Sequence, residues 1–209
     1  MDATVKARWA DSLSNVVTIL VGVVVIGAVV RREWPERPAV ASKPLVQAST
    51  TTPTRIEDWD GALRIAREAP DTTASVVVLA FMDVECPYCR RLEEDLARVK
   101  RRAGPRLSIR TVHFPLPQHR FANLGARALE CAHAEGRFTE MLASVFAKQD
   151  SLGLLDWYEF ARPAGVRDSV AFGDCMRSRK PVPGVEEGLA LGKKLRIRGT
   201  PAVIVNGYL

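Results

Sequence analysis

Hydrophobic and polar positions divide the chain into an apolar run, a proline-rich stretch and a long patterned region. Residues 12–30 form an uncharged run of 19, dominated by Val, Ile, Leu and Gly. A helix of that length rises to about 30 Å, enough to cross a bilayer core. The apolar part of a cleaved signal is shorter, roughly 7–15 residues, with a small-residue site directly after it. Here Arg31-Arg32-Glu33 follows at once, and Ala39-Val40-Ala41 lies too far downstream. The pattern predicts an uncleaved transmembrane anchor at 12–30 behind a short tail, 1–11. Residues 31–54 carry Pro35, Pro38, Pro44, Pro53 and the run Ser49–Thr52. That density of proline predicts an extended linker, at about 3 Å per residue.

From residue 55 to 209 the periodicity is that of a folded α/β domain. Ile56, Trp59 and Leu63 recur at helical spacing, which makes Trp59 a core residue of a short amphipathic helix. Ser75–Phe81 is an apolar, β-branched run that predicts a strand, and a charged helical pattern follows to about Arg102. Gly104-Pro105 breaks it, and Leu107–Phe114 predicts a second strand. Phe121, Leu124, Gly125, Ala128, Cys131 and Ala132 fall on one helical face. Further helices are expected at about 137–147, 155–162, 168–177 and 185–195. Ala202–Val205 reads as a last strand, running into the hairpin signal Asn206-Gly207. No internal repeat is present.

Composition changes this picture little. The 209 residues are 47% hydrophobic and 26% charged, which suits one domain plus an appendage. The net charge of +6 is spread over small clusters such as Arg90-Arg91, Lys100-Arg101-Arg102 and Lys193-Lys194. A nucleic-acid surface gathers such charge on one face with interleaved aromatics, and no such arrangement occurs. Nucleic acid is therefore not an expected partner.

The chemistry lies between the first strand and its helix, at Cys86-Pro87-Tyr88-Cys89. This layout places Cys86 at a helix N-cap and Pro87 at the first helical position, where a missing N–H costs nothing. The free amides and positive dipole end of that helix favour a thiolate at Cys86, the nucleophilic form. Cys89, one turn later, is expected deeper, as the resolving thiol. Arg90 and Arg91 add positive charge nearby. A zinc knuckle is the competing reading, but zinc commonly takes four ligands, and there is no second CxxC. His113, His119 and His133 are scattered. No metal and no cofactor are expected. His113 and His119 flank Pro115-Leu116-Pro117, and His119 reads as a helix-start or solvent-facing residue.

Together, strand–CPYC–helix and the later GTPAVIVNG resemble the thioredoxin superfamily. The 112 positions from Cys89 to Pro201 leave room for several helices. With FMDVECPYCRR, HFPLPQH and ALECAHAEGRF they make residues 55–209 similar to the DsbA-like thiol–disulfide oxidoreductases. The resemblance implies a thioredoxin-like α/β fold with an inserted helical subdomain at about 118–196. It also implies that Pro201 is a cis-proline and that Thr200 offers its backbone to an extended substrate segment. Pro87 and Tyr88 would flank that segment. Some relatives carry a structural disulfide in the helical subdomain, and Cys131 and Cys175 match its general placement. Two free buried cysteines are the other reading of that pair. Three features depart from the group. The position six before the first cysteine, commonly acidic, is Ala80, so Asp83, Glu85 or water must take its part in proton transfer. Tyr88 stands where the most oxidising members have histidine, which suggests a milder poise. Leu209 follows directly on the hairpin turn, where the fold normally continues, so the chain is expected to be a fragment or to leave a bare sheet edge.

The resemblance implies a protein disulfide oxidoreductase that acts on cysteine-containing protein substrates. A membrane partner of the DsbB type or the vitamin K epoxide reductase-like type would reoxidise it. Lys6 and Arg8 before the anchor, and Arg31, Arg32 and Arg37 after it, leave orientation open. The dithiol and the extra cysteines favour an extracytoplasmic, periplasmic catalytic domain. A reductase or isomerase, or a peptide-binding chaperone module on the same fold, is the alternative.

Overall fold

The continuous apolar run of β1 (Val76–Met82) is buried on both faces from Val78 onward, as a central strand must be. The structure is a computed structural model and describes residues 53–67 and 73–209. The expected anchor at 12–30, the tail before it and nearly all of the linker lie outside the described residues. Among the described residues no helix is long and apolar enough to cross a membrane. β1 is the middle of a three-stranded sheet of order β2-β1-β3. β2 (Leu107–His113) runs parallel to it, with Val76 opposite Leu107 and Met82 opposite His113. β3 (Ala202–Val205) runs antiparallel, with Phe81 opposite Ala202 and Leu79 opposite Ile204.

A parallel pair needs a crossover, and the helix that opens at Pro87 supplies it. α2 (Pro87–Ala103) ends at Gly104, whose φ of 59° suits glycine and whose N–H caps the Lys100 carbonyl. At the opposite edge of the sheet, after β3, Asn206 and Gly207 take φ of 49° and 84°, the left-handed pair of a tight hairpin. Tyr208 bridges both Val205 and Arg55. Leu209 exchanges backbone hydrogen bonds with Thr54, at 2.9 and 3.2 Å.

The sheet separates two apolar clusters. On one side Leu79, Phe81, Val112 and Ile204 pack with α1 (Trp59–Ile65) and α7 (Pro183–Lys194). Gly188 lets α7 lie close on β2, because a Cβ there would strike the His113 carbonyl. α7 falls within the span read as the helical insertion, yet it packs against β2 and α1. On the other side Ala80, Met82, Cys86 and Cys89 join the helices α3 (Ala122–His133), α4 (Phe138–Ala147), α5 (Tyr158–Ala161) and α6 (Ser169–Arg177).

Three expected helices differ in detail. Ile56 precedes α1 but is still buried. Asp58 starts that helix instead, its carboxylate accepting the Gly61 N–H at 2.9 Å. The helix expected at 155–162 contracts to α5, and Leu155 is exposed. Leu124 does not share the buried face of α3: it is 45% exposed, while Ala122, Ala126 and Leu129 point inward. The interior of α3 is rich in small residues, so the large Leu124 misleads the periodicity.

Two links hold the helical layer. Cys131 on α3 and Cys175 on α6 form a disulfide with Cα atoms 5.8 Å apart. One residue earlier, Glu130 accepts two hydrogen bonds from Arg67, at 2.6 and 2.9 Å, and lies 2.8 Å from His113 Nε2. Burial alone would raise this carboxyl. The hydrogen bonds and charges of His113 and Arg67 outweigh it and hold the group at about 2. Arg90, expected to add positive charge near the cysteines, pairs with the exposed Asp150 at 3.2 Å.

Candidate active site

β1 stops at Met82 because the next residues turn. The Cys86 N–H bonds the Asp83 carbonyl at 3.1 Å, and Cys86 takes extended φ and ψ of −72° and 120° as the N-cap of α2. Its carbonyl receives the Cys89 and Arg90 N–H groups, at 3.1 and 3.3 Å. Pro87 fills the first helical position, and no side chain caps the helix. The helix start therefore lies directly after Cys86. Both Cys86 and Cys89 are free thiols, 3% and 0% exposed.

Thr200 and Pro201 stand against this pair. The Thr200–Pro201 peptide is cis, and the Cys86 thiol donates to the Thr200 carbonyl at 3.3 Å. Cys89 lies deeper, and burial pushes its thiol up to about 12. The Asp83 N–H, 3.4 Å from its sulfur, and the Thr200 side chain oppose that rise in part. Tyr88 projects outward, 65% exposed, with the Arg91 guanidinium 5.9 Å from its ring centre. Pro87 is exposed beside it. So Cys86, Cys89, Thr200, Pro201, Pro87 and Tyr88 gather at one place, while Cys131 and Cys175 lie in the helical layer.

The helical layer grips the cysteine loop through polar groups that sequence reasoning did not single out for this task. Gln149, buried after α4, donates from Nε2 to the carbonyls of Val84 and Cys86, at 2.8 and 3.0 Å. Glu85 accepts the Phe121 N–H at 2.5 Å. Asp83 accepts the Glu85 N–H at 2.8 Å, the Leu116 N–H at 2.7 Å and His119 Nδ1 at 2.8 Å. His119 thus turns inward to the cysteine loop rather than starting α3, which opens at Ala122. Gly125 of α3 makes room for Val84 and Trp157. The signal for Asp83 was present as an acid inside an apolar run, but nothing in the spacing linked it to His119, 36 positions away. Among the described residues no three His, Cys, Asp or Glu side chains converge as a metal set.

A helix-capping cysteine over a buried partner beside a cis-proline is a thioredoxin-like arrangement, and the thioredoxin family profile matches residues 70–209. The chain belongs to the thioredoxin family. Among solved structures it superposes on a thioredoxin-like oxidoreductase from Silicibacter pomeroyi DSS-3 with a TM-score of 0.60, at 22% identity over 71% of this chain and 86% of that one. BdbD from Bacillus subtilis gives 0.57 at 21% identity, over 65% of this chain and 79% of that chain. Wolbachia pipientis α-DsbA1 gives 0.55 at 18%, over 69% and 79%. This thioredoxin-family domain therefore has the DsbA-like fold. A curated relative, the Na(+)/H(+) antiporter NhaA 1 of Mycolicibacterium gilvum, is 34% identical over 68% of this chain and 23% of its own length. The match thus spans less than a quarter of that relative, and the same holds for its counterpart in Mycolicibacterium vanbaalenii, 34% identical over 64% of this chain and 22% of that one.

Proposed function

We propose that this protein is a membrane-tethered, extracytoplasmic thiol–disulfide oxidoreductase that exchanges disulfides with protein substrates through Cys86 and Cys89. The observation that carries this reading is the Cys86 sulfur at the start of α2, 3.3 Å from the Thr200 carbonyl, with Cys89 buried behind it. In the oxidising direction a substrate thiolate attacks Cys86 Sγ of the Cys86–Cys89 disulfide. The Cys89 thiolate leaves, and a mixed disulfide forms. A second substrate thiolate then attacks the substrate sulfur of that bond and displaces Cys86, which departs with the electron pair. The substrate has lost two electrons and two protons, and the dithiol has gained them. The reducing direction runs the same bonds backward, and potential and partner set which dominates.

The backbone of Thr200 and the exposed Pro87 and Tyr88 form the surface on which an extended substrate segment would lie. A DsbB-type or vitamin K epoxide reductase-like membrane protein would regenerate the disulfide. Three features support the location. The run at 12–30 is long enough to span a bilayer, the Cys131–Cys175 disulfide suits an oxidising compartment, and the curated relatives are named as antiporters, which work across membranes. The test is turnover of a reduced, unfolded cysteine protein by the oxidised chain. Stoichiometric disulfide transfer that disappears in Cys86→Ser is expected. Equal transfer by Cys86→Ser would refute the assignment. A chaperone module on this fold would instead keep a client soluble when both Cys86 and Cys89 are serine, with no redox activity in the parent.

A further inference from the structure

Cys89 has a difficult role in any exchange. Its thiol is fully buried and held at about 12, yet it carries negative charge whenever the Cys86–Cys89 bond forms or breaks. The strand position where an acid could sit is Ala80, buried in the same apolar cluster. The backbone donor on the Cys89 sulfur is the N–H of Asp83, at 3.4 Å.

The residue that owns that N–H is pinned by its own side chain. The Asp83 carboxylate is 0% exposed and takes three donors. The Glu85 N–H comes from its own loop. The Leu116 N–H and the His119 imidazole come from the segment joining β2 to α3. A buried carboxylate is stable only when so satisfied. With donors arriving from two chain segments, residue 83 cannot swing without breaking one of them. The imidazole is the only one of the three that a side-chain substitution can remove. It is 22% exposed, so it closes the network on the solvent side.

Building on the dithiol chemistry above, we propose that Asp83 and His119 are positioning residues for the buried thiol: their carboxylate–imidazole pair holds the Asp83 N–H on the Cys89 sulfur and so favours its thiolate in the exchange. In the resolving step the Cys89 thiol gives its proton to a water molecule that reaches the site as a base, which carries it to solvent. Its thiolate attacks Cys86 Sγ of a mixed disulfide, the Cys86–Cys89 bond forms, and the bond to the partner sulfur breaks. The partner leaves as a thiolate with the electron pair. In the opposite direction Cys89 is the leaving thiolate, so the same N–H serves both.

The test follows the reduced full-length chain reacting with 5,5′-dithiobis(2-nitrobenzoate). The first thionitrobenzoate released reports attack by Cys86, and the second reports resolution by Cys89. His119→Ala should leave the first phase unchanged and slow the second about tenfold, the size of one hydrogen bond to a charged group. His119→Asn, which can still donate to Asp83, should restore the second phase to within about twofold of the parent. Asp83→Asn should slow the second phase as well, and adding it to His119→Ala should cost little more, because the two act as one unit. It also carries the test if His119→Ala does not fold. A second phase at the parental rate in His119→Ala and Asp83→Asn overturns the proposal. So does an equal slowing of both phases, which would mark a general loss of structure. A parent that releases no second equivalent would refute the dithiol reading itself, a result distinct from either.

Discussion

The molecule holds two cysteine pairs on the same side of one sheet, and they are in opposite states. Cys86 and Cys89 are three positions apart on one helix start, and both are free. Cys131 and Cys175 are 44 positions apart on two helices and are joined. The first pair sits at a helix start and meets polar backbone groups, the Thr200 carbonyl and the Asp83 N–H. The second shares the apolar helical cluster with the first but joins two of its helices. A bond three positions apart closes almost no loop, so making or breaking it costs little chain entropy. A bond across 44 positions restrains the unfolded chain strongly. Spacing and surroundings, rather than the residue type, separate a reactive dithiol from a structural link.

Substitutions can sharpen this contrast. The largest effect is expected for Cys86→Ser, which removes the attacking sulfur and should abolish disulfide transfer while leaving the urea midpoint near that of the parent. Cys89→Ser should still attack but fail to resolve, so mixed disulfides should accumulate on non-reducing gels. Replacing both Cys131 and Cys175 with serine should do the reverse. By the chain-entropy model it should lower stability by about 4 kcal/mol in equilibrium urea unfolding. The rate of the Cys86 thiol should stay within about twofold, as for sites that share no hydrogen-bond partner. If transfer collapsed with stability unchanged, the division of labour would be wrong.

A smaller effect lies beside the structural pair, at Glu130. Its folded carboxyl sits at about 2, well below an unfolded one. The stability it contributes is therefore full above the ordinary carboxylate range and is lost as pH falls from about 5 through 2. The urea midpoint should drop across that window, and Glu130→Gln should flatten the acid part of the profile while destabilising the protein at pH 7. The smallest change is expected for Tyr88→His. A histidine over the N-terminus of α2 favours the reduced form, which should make the disulfide a stronger oxidant by a few tens of millivolts, about 30 mV per 1.4 kcal/mol.

Much of this contrast was readable from the sequence, for local reasons. CPYC after an apolar strand places its first cysteine at a helix cap through short-range rules alone, and the structure has Cys86 there. The strands at Ser75–Phe81 and Leu107–Phe114 shifted by a residue at most, since β-branched runs mark central strands well. What stayed hidden depends on packing between distant segments. Leu124 sits at helical spacing with buried residues yet faces out, because the inward face of α3 is built from alanines and from Gly125, which packs on Val84 of the cysteine loop. His119 and Gln149 were unreadable as site supports, since their partners lie 36 and more than 60 positions away. The Thr200 contact with Cys86, 114 positions apart and so more distant still, was expected through resemblance to a family rather than through periodicity.

The central claim is that Cys86 and Cys89 form a reversible two-electron couple. The most direct measurement is the equilibrium reduction potential of the full-length chain against glutathione, read by alkylation of Cys86 and Cys89 with Cys131–Cys175 intact. A single two-electron transition between about −270 and −120 mV is the expected result, with the upper part of that span marking a disulfide donor. Free thiols at positions 86 and 89 across the whole titration, with no reversible transition, would contradict it.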